Sequence, residues 1–317
     1  MDTILNPLYF VVSWIMIGWH WLFSTVLGIS HDGIAWTLSI VGLVVVIRVI
    51  LIPLFVRQIK SQRKMQMLQP KVMELRKKYK TDRERLQRET MKLYQETGTN
   101  PFASCLPILA QAPVLFALFR VLDGIARDRP RGAFQDHMDL YESVANAEVG
   151  GVPITTTFLT TDQLNAKIVA VIMIIIMVAT QYITQRQIMR KNMPKEALEG
   201  QFAQQQKILL YVLPLVFAFS GVYFPLGTVL YWLTSNFWTM GQQLYVIRRM
   251  PAPGTDAEKA HLARLDAKAR RKGLPLPSEV KAAEEAEKTK KAQTERRQPQ
   301  KSTRAQRTSR PQQRKKK

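Results

Sequence analysis

Long apolar runs alternate with strongly charged ones along this chain. Residues 34–56, IAWTLSIVGLVVVIRVILIPLFV, contain one ionisable side chain, Arg48. At about 1.5 Å per residue, a helix of that length crosses a hydrocarbon core of ~30 Å with some tilt. Four further runs, 104–122, 168–185, 208–223 and 226–247, predict four more spans. Pro107 and Pro113 should kink the second, and Phe224-Pro225-Leu226-Gly227 turns the fourth directly into the fifth. The pattern predicts an all-α polytopic membrane protein with five core transmembrane helices.

The segments between the spans have their own periods. In residues 57–103, Met65, Leu68, Val72, Leu75 and Tyr79 fall at helical a/d spacing, and Thr81-Asp82 interrupts them. Leu86, Thr90, Leu93 and Thr97 resume it before Gly98-Thr99-Asn100-Pro101, so a helical hairpin is expected. Residues 123–166 form a polar loop of little clear period, with Gly150-Gly151-Val152-Pro153 inside it. Residues 1–33 carry an apolar segment, 8–29, crowded with Trp14, Trp19 and Trp21. Trp prefers the headgroup region, which favours a helix lying in the interface over an additional span. No Lys or Arg lies between Met1 and Leu27, so the basic start of a signal peptide is missing.

Charge then orients the chain. Of 46 Lys and Arg residues, 13 lie in 57–100, 5 in 186–207 and 22 in 248–317; the loop 123–166 has only Arg127, Arg129 and Arg131. The positive-inside rule puts the hairpin and the C-terminus in the cytoplasm and 123–166 outside. A bacterial plasma membrane fits best, since no Arg-rich, Ser-rich transit peptide is present. Residues 251–317 lack Phe, Trp and Tyr and hold 20 Lys/Arg against 8 Asp/Glu, the composition of a disordered basic tail. Such a tail suits anionic lipid or ribosomal RNA. Cys105 is the single cysteine, so no disulfide framework forms.

This orientation gathers polar residues at one depth. Arg48 lies about 5–6 Å to the cytoplasmic side of its span's midpoint. Gln111 and Gln181 fall in the same leaflet, and the last span adds the aromatic pair Tyr231-Trp232, then Thr234, Ser235 and Asn236. A single intramembrane glutamine is often interhelical glue. Polar residues on several helices around a deep arginine point instead to an electropositive cavity open to water and cytoplasm, one that attracts acidic or polar segments. No Asp or Glu lies in the five spans.

At these residues the chain resembles the YidC family of membrane protein insertases. The resemblance rests on Arg48, on the charged segment SQRKMQMLQPKVMELRKKYKTDRERLQRETMKLYQETGTNP, on NPFASCLPILAQAPVLFALFRVL and on FPLGTVLYWLTSNFWTMGQQLYVIRR. It covers roughly residues 5–250. It implies five core helices around a hydrophilic groove, a cytoplasmic helical hairpin, and an amphipathic helix at the outer face. By position, Arg48 matches the groove arginine, Gln181 a polar position of the third core helix and Trp232 an aromatic position of the last. Gln111, Tyr231 and Asn236 complete the candidate groove set. The large extracytoplasmic domain of some members is absent, and so is the lipidated cysteine of others. The implied partners are nascent membrane proteins, membrane lipid, the ribosome through hairpin and tail, and the general secretion translocon.

Other function classes have less support. An anion or small-solute transporter or channel is the main alternative, with Arg48 as the anion site. The hairpin and the absence of inverted repeats speak against it. No GxxxxGK[ST], HExxH or Ser/His/Asp set occurs and the five spans contain no His, so no enzyme, cofactor or metal site is expected.

Overall fold

The computed structural model describes residues 2–99, 106–193, 204 and 207–297. It is almost entirely helical. Chain contacts divide it into residues 1–258 and residues 259–317. Asn100-Pro101, Cys105 and the end of the basic tail expected from the sequence lie outside the described residues.

The first helix, α1 (Asp2–Trp21), continues as a π turn over Leu22–Val26. Next come α2 (Asp32–Ile50) and α3 (Ile52–Lys78). The expected single run 34–56 is therefore divided at Leu51. The cause is Pro53 in the first turn of α3, which lacks an N–H and disfavours α geometry just before it. The Leu51 N–H still reaches the Ile47 carbonyl at 3.0 Å, so the chain continues with only a local break. A short turn joins α3 to α4 (Arg83–Glu96), whose Asp82 cap accepts from the Arg85 N–H at 2.9 Å. The two helices share a cavity of about 470 Å³ lined by Leu75, Leu93 and alternating Lys and Glu side chains, remote from Arg48.

The second predicted span is α5 (Leu106–Ala126), with Pro113 inside it. Beyond it, the stretch read as an irregular loop is ordered. A 3₁₀ turn (Gly132–Gln135), α6 (Met138–Ala145) and a small antiparallel hairpin of β1 (Glu148–Val149) and β2 (Val152–Pro153) follow one another. Gly150 and Gly151 both take positive φ, +61° and +73°, as a two-residue hairpin turn requires. Next come α7 (Leu164–Asn192), a π turn (Ile208–Val212) leading into α8 (Leu213–Gly221), and α9 (Leu226–Arg249).

Among the described residues, four helical stretches are both long and apolar enough to cross a membrane: Leu5–Val26, Asp32–Ile50, Leu109–Ala126 and Leu164–Asn192. The apolar stretch Ile208–Gly221 is shorter than a full span, and α9 is long but carries many polar side chains. The chain is thus a polytopic all-α membrane protein.

Two apolar clusters hold the membrane part together. One joins α1, α2 and α5 around Trp36, Ile40, Leu43, Leu118 and Leu122. The other joins α7, α8 and α9 around Met173, Met177, Leu226 and Val229. The ordered loop ties them. The carbonyls of Thr156 and Ile154 accept the N–H groups of Leu226 (2.9 Å) and Gly227 (2.8 Å), two donors that α9 leaves unpaired at its start.

The segment read as a disordered tail departs from that reading over residues 256–297. Helices α10 (Asp256–Arg270) and α11 (Pro277–Arg297) stand there. The start of α10 explains why it forms. The Thr255 hydroxyl accepts from the Glu258 N–H at 3.3 Å, and the Glu258 carboxylate accepts from the Gly254 N–H at 2.7 Å. This is close to a capping box. At the start of α11, hydrogen bonds from the Ser278 side chain and then from its N–H, the latter at 3.0 Å, hold the Asp266 carboxyl below its ordinary pKa.

Candidate functional site

The site assembles where α2, α5 and α9 meet. Arg48 is in the last turn of α2 and its side chain is 6% exposed. One guanidinium nitrogen, Nη2, donates to the backbone carbonyl of Ser235 on α9 at 3.1 Å. The ring of Phe55 lies 5.4 Å from the guanidinium carbon, a cation–π contact from the first turn of α3. Arg48 Nε is buried with no hydrogen-bond partner among the described residues, and Arg48 makes no ion pair there. Insertion of a charge at such depth costs about 2.5–3.5 kcal/mol. The Ser235 carbonyl does not depend on Arg48, because it also accepts from the Thr239 hydroxyl at 2.8 Å.

Gln111 joins this cluster from α5. Its Nε2 donates to the Tyr231 hydroxyl at 3.2 Å and to Ser235 Oγ at 3.1 Å. Tyr231 and Ser235 are four residues apart on α9 and both buried, so one face of that helix meets Arg48 and Gln111 together. Arg48, Gln111 and Tyr231 are thereby brought to one place, with Ser235 between them.

The other three candidates sit elsewhere. The Asn236 amide donates to the Met177 carbonyl at 3.1 Å, which binds α9 to α7. Trp232 packs edge-on against Phe217 (4.3 Å between centroids) and Phe224 (5.7 Å) in the second apolar cluster. Gln181 is half-buried on α7, without a side-chain hydrogen bond among the described residues. The expected opening to water at Arg48 is not seen. Phe55 and α9 cover the guanidinium and leave it almost fully enclosed.

Two contributors were missing from the residue set drawn from the sequence. Phe55 stands seven residues after Arg48, a spacing that returns to the same helical face, and this was the available signal. The Ser235 carbonyl had none, since every residue type carries one. Among the described residues, no group of His, Cys, Asp and Glu could hold a metal ion.

These features define a helical membrane protein with a deep arginine between packed helices that has no carboxylate partner among the described residues. Residues 28–253 match the family model of the 60Kd inner membrane protein. The chain belongs to that family. It is 46% identical over 277 residues to a Streptomyces avermitilis protein named membrane protein insertase YidC, an alignment covering 84% of this chain and 64% of that relative. A Bifidobacterium longum protein of the same name is 35% identical over 301 residues, covering 90% of this chain and 89% of the relative. One from Mycobacterium tuberculosis is 38% identical over 268 residues, covering 76% and 72%.

Proposed function

We propose that this chain is a membrane protein insertase of a bacterial plasma membrane, working without nucleotide hydrolysis. The observation that carries the mechanism is the state of Arg48: a buried cation with a spare N–H, held by a neutral carbonyl that has a second donor. A carboxylate is a far better partner for a guanidinium than a carbonyl, being charged and able to accept two parallel bonds. An acidic residue of a nascent chain would therefore displace the Ser235 carbonyl, which loses little. The Gln111–Tyr231–Ser235 bonds would accept polar groups of the same segment. The apolar helix of the client would then partition into lipid, with hydrophobic burial and the membrane potential as driving terms.

In this reading α2, α5, α7, α8 and α9 are the five core helices, and their groove opens when Phe55 and α9 move off Arg48. The hairpin α3–α4 and the C-terminus face the cytoplasm, as the charge bias supports. The N-terminal helix lies in the outer interface. Its Ser13 meets Ala133 while its His20, seven residues further on, meets Asp32, so two points along α1 touch the same extramembrane region. The basic C-terminal segment and the hairpin contact the ribosome, and the general secretion translocon is a further partner. Anion transport has nothing in its favour beyond the arginine itself.

The test is reconstitution of the full chain into liposomes. A single-span protein with an acidic N-tail is synthesised beside them, and protease protection reads its insertion. Protection well above that of empty liposomes is expected, falling several-fold with Arg48→Ala. Protection equal to that of empty liposomes would overturn the function. Equal protection with and without Arg48 would overturn the mechanism. Ribosome co-sedimentation should fall steeply with salt, and a salt-independent result would remove the electrostatic contact.

A further inference from the structure

The three arginines of the segment 123–166 stand against the charge bias of the rest of the chain, and they are not scattered. Arg127, Arg129 and Arg131 line one cavity of about 370 Å³ together with Arg120 from α5. Asp123 is the one acidic side chain in that lining, and it is paired with Arg127 at 2.8 Å. Nearby Asp128 is engaged by the Tyr141 hydroxyl at 2.7 Å. The negative end of α5 offsets about half a charge more. Arg131 also lies 5.5 Å over the Tyr9 ring, and in the lining itself four guanidiniums stand with one carboxylate.

The backbone builds the site. The Arg129 N–H returns to the Gly124 carbonyl at 2.7 Å and the Asp128 N–H to the Ile125 carbonyl at 3.2 Å, with Asp128 at φ +53°. This is a Schellman ending, and it folds Arg129 and Arg131 back over the last turn of α5. Gly124 makes the return possible: a Cβ there would stand 2.5 Å from the Arg129 carbonyl oxygen.

What lies below the cavity identifies the ligand. Leu109, Phe116, Arg120, Asp123 and Arg127 follow one another along α5 at spacings that keep them on one face. Leu109 and Phe116 are exposed, so this face is apolar and open until it reaches the arginines. Phe119 of the cavity packs edge-on against Phe224, just before α9. Open apolar surface ending in a cluster of guanidiniums fits acyl chains topped by a phosphate. Arginine recognises phosphate by paired N–H donors, and the excess positive charge disfavours a choline ammonium beside it.

We propose that this cavity binds the phosphate of an anionic phospholipid in the leaflet reached by the C-terminal end of α5. The site is separate from Arg48 and does not rest on the insertase reading. The experiment is native mass spectrometry of the full chain in detergent, titrated with phosphatidylglycerol or phosphatidylcholine. Wild type is compared with Arg129→Gln, which breaks no described contact, and with the double variant Arg127→Gln/Arg129→Gln. The basic C-terminal segment is the same in all three, so lipid bound there cancels in the comparison. At about 1 kcal/mol per base, loss of Arg129 should weaken the tightest phosphatidylglycerol by about fivefold, and loss of both by more than tenfold. Phosphatidylcholine should bind weakly and equally to all. Millimolar inorganic phosphate should leave the lipid in place. Equal phosphatidylglycerol binding by wild type and both variants would overturn the site. Displacement of the lipid by inorganic phosphate alone would overturn the lipid as its ligand.

Discussion

Replacing Arg48 by Met separates what the guanidinium does for the fold from what it does for a client. Met has a similar length, fills the same space and retains a favourable contact with the Phe55 ring. The substitution removes one charge-assisted hydrogen bond, to the Ser235 carbonyl, worth about 1.5–3 kcal/mol. That carbonyl retains Thr239, so nothing is newly orphaned on α9. The substitution also relieves a buried charge with an unsatisfied Nε, a penalty of about 2.5–3.5 kcal/mol. The balance runs from about 0.5 kcal/mol against the variant to about 2 kcal/mol in its favour, in line with the general finding that apolar replacement of buried charges is neutral or stabilising. Reversible unfolding in bicelles by steric trapping measures this, and insertion of an acidic-tailed client measures function on the same preparation. The expected result is a protein about as stable or more stable that inserts poorly. Destabilisation by more than about 2 kcal/mol would make Arg48 a structural pillar and refute the reasoning. Undiminished insertion would refute its role toward the client.

Other consequences are equally open to measurement. Ser13→Ala should destabilise the packing of α1 by about 1–3 kcal/mol, because Ser13 Oγ accepts the buried Ala133 N–H at 2.9 Å; thermal unfolding in detergent reads this. Gly132 has φ +62°, and a Cβ there would stand 2.4 Å from the Tyr9 carbonyl oxygen, so Gly132→Val should release the same contact and raise hydrogen exchange around residues 132–135. Desolvation, then the bond to Asp128 and its charge, push the Tyr141 hydroxyl from its ordinary 10 up to about 12. The folded protein therefore keeps a proton that the unfolded chain loses. The resulting stability is fully present below pH 10 and is lost as pH rises toward 12, and Tyr141→Phe should abolish that part of the alkaline decline. Asp82→Ala should cost α4 about 1 kcal/mol of helix stability, visible as faster exchange at the Arg85 amide.

The legibility of the fold tracked how strongly each feature was written in side-chain period. The long spans, the hairpin helices α3 and α4 and the Asp82 cap all follow from apolar spacing and punctuation residues. The break at Leu51 was legible in Pro53 but lost inside an uninterrupted apolar run, where hydropathy outweighs one missing N–H. The order in 123–166 was partly legible in Gly150-Gly151, the standard signal of a tight hairpin. What fixes that segment, however, is contact with other elements: Ser13 on α1, and the free amides at the start of α9. Helix α10 was masked by composition. Basic, aromatic-free sequence reads as disorder, although Thr255 and Glu258 spell out a cap.

The candidate site divides along the same line. Arg48, Gln111 and Tyr231 converge because each is a polar side chain placed deep in a span, where only another polar group can satisfy it. Depth alone could not say which face each would take. Trp232 is one residue from Tyr231, so the helical turn of about 100° sends it to the aromatic cluster on the α8 side. Asn236, one residue beyond Ser235, turns in the same sense toward Met177 on α7. One helix thus serves two neighbours: a polar face to α2 and α5, an aromatic and amide face to α7 and α8. The acceptor for Arg48 is a carbonyl that needs no particular side chain, so the arginine can be held without a carboxylate anywhere in the pattern. This leaves its charge without a carboxylate partner among the described residues, whereas an Asp or Glu on α9 would have neutralised it and removed the basis of the client contact proposed above.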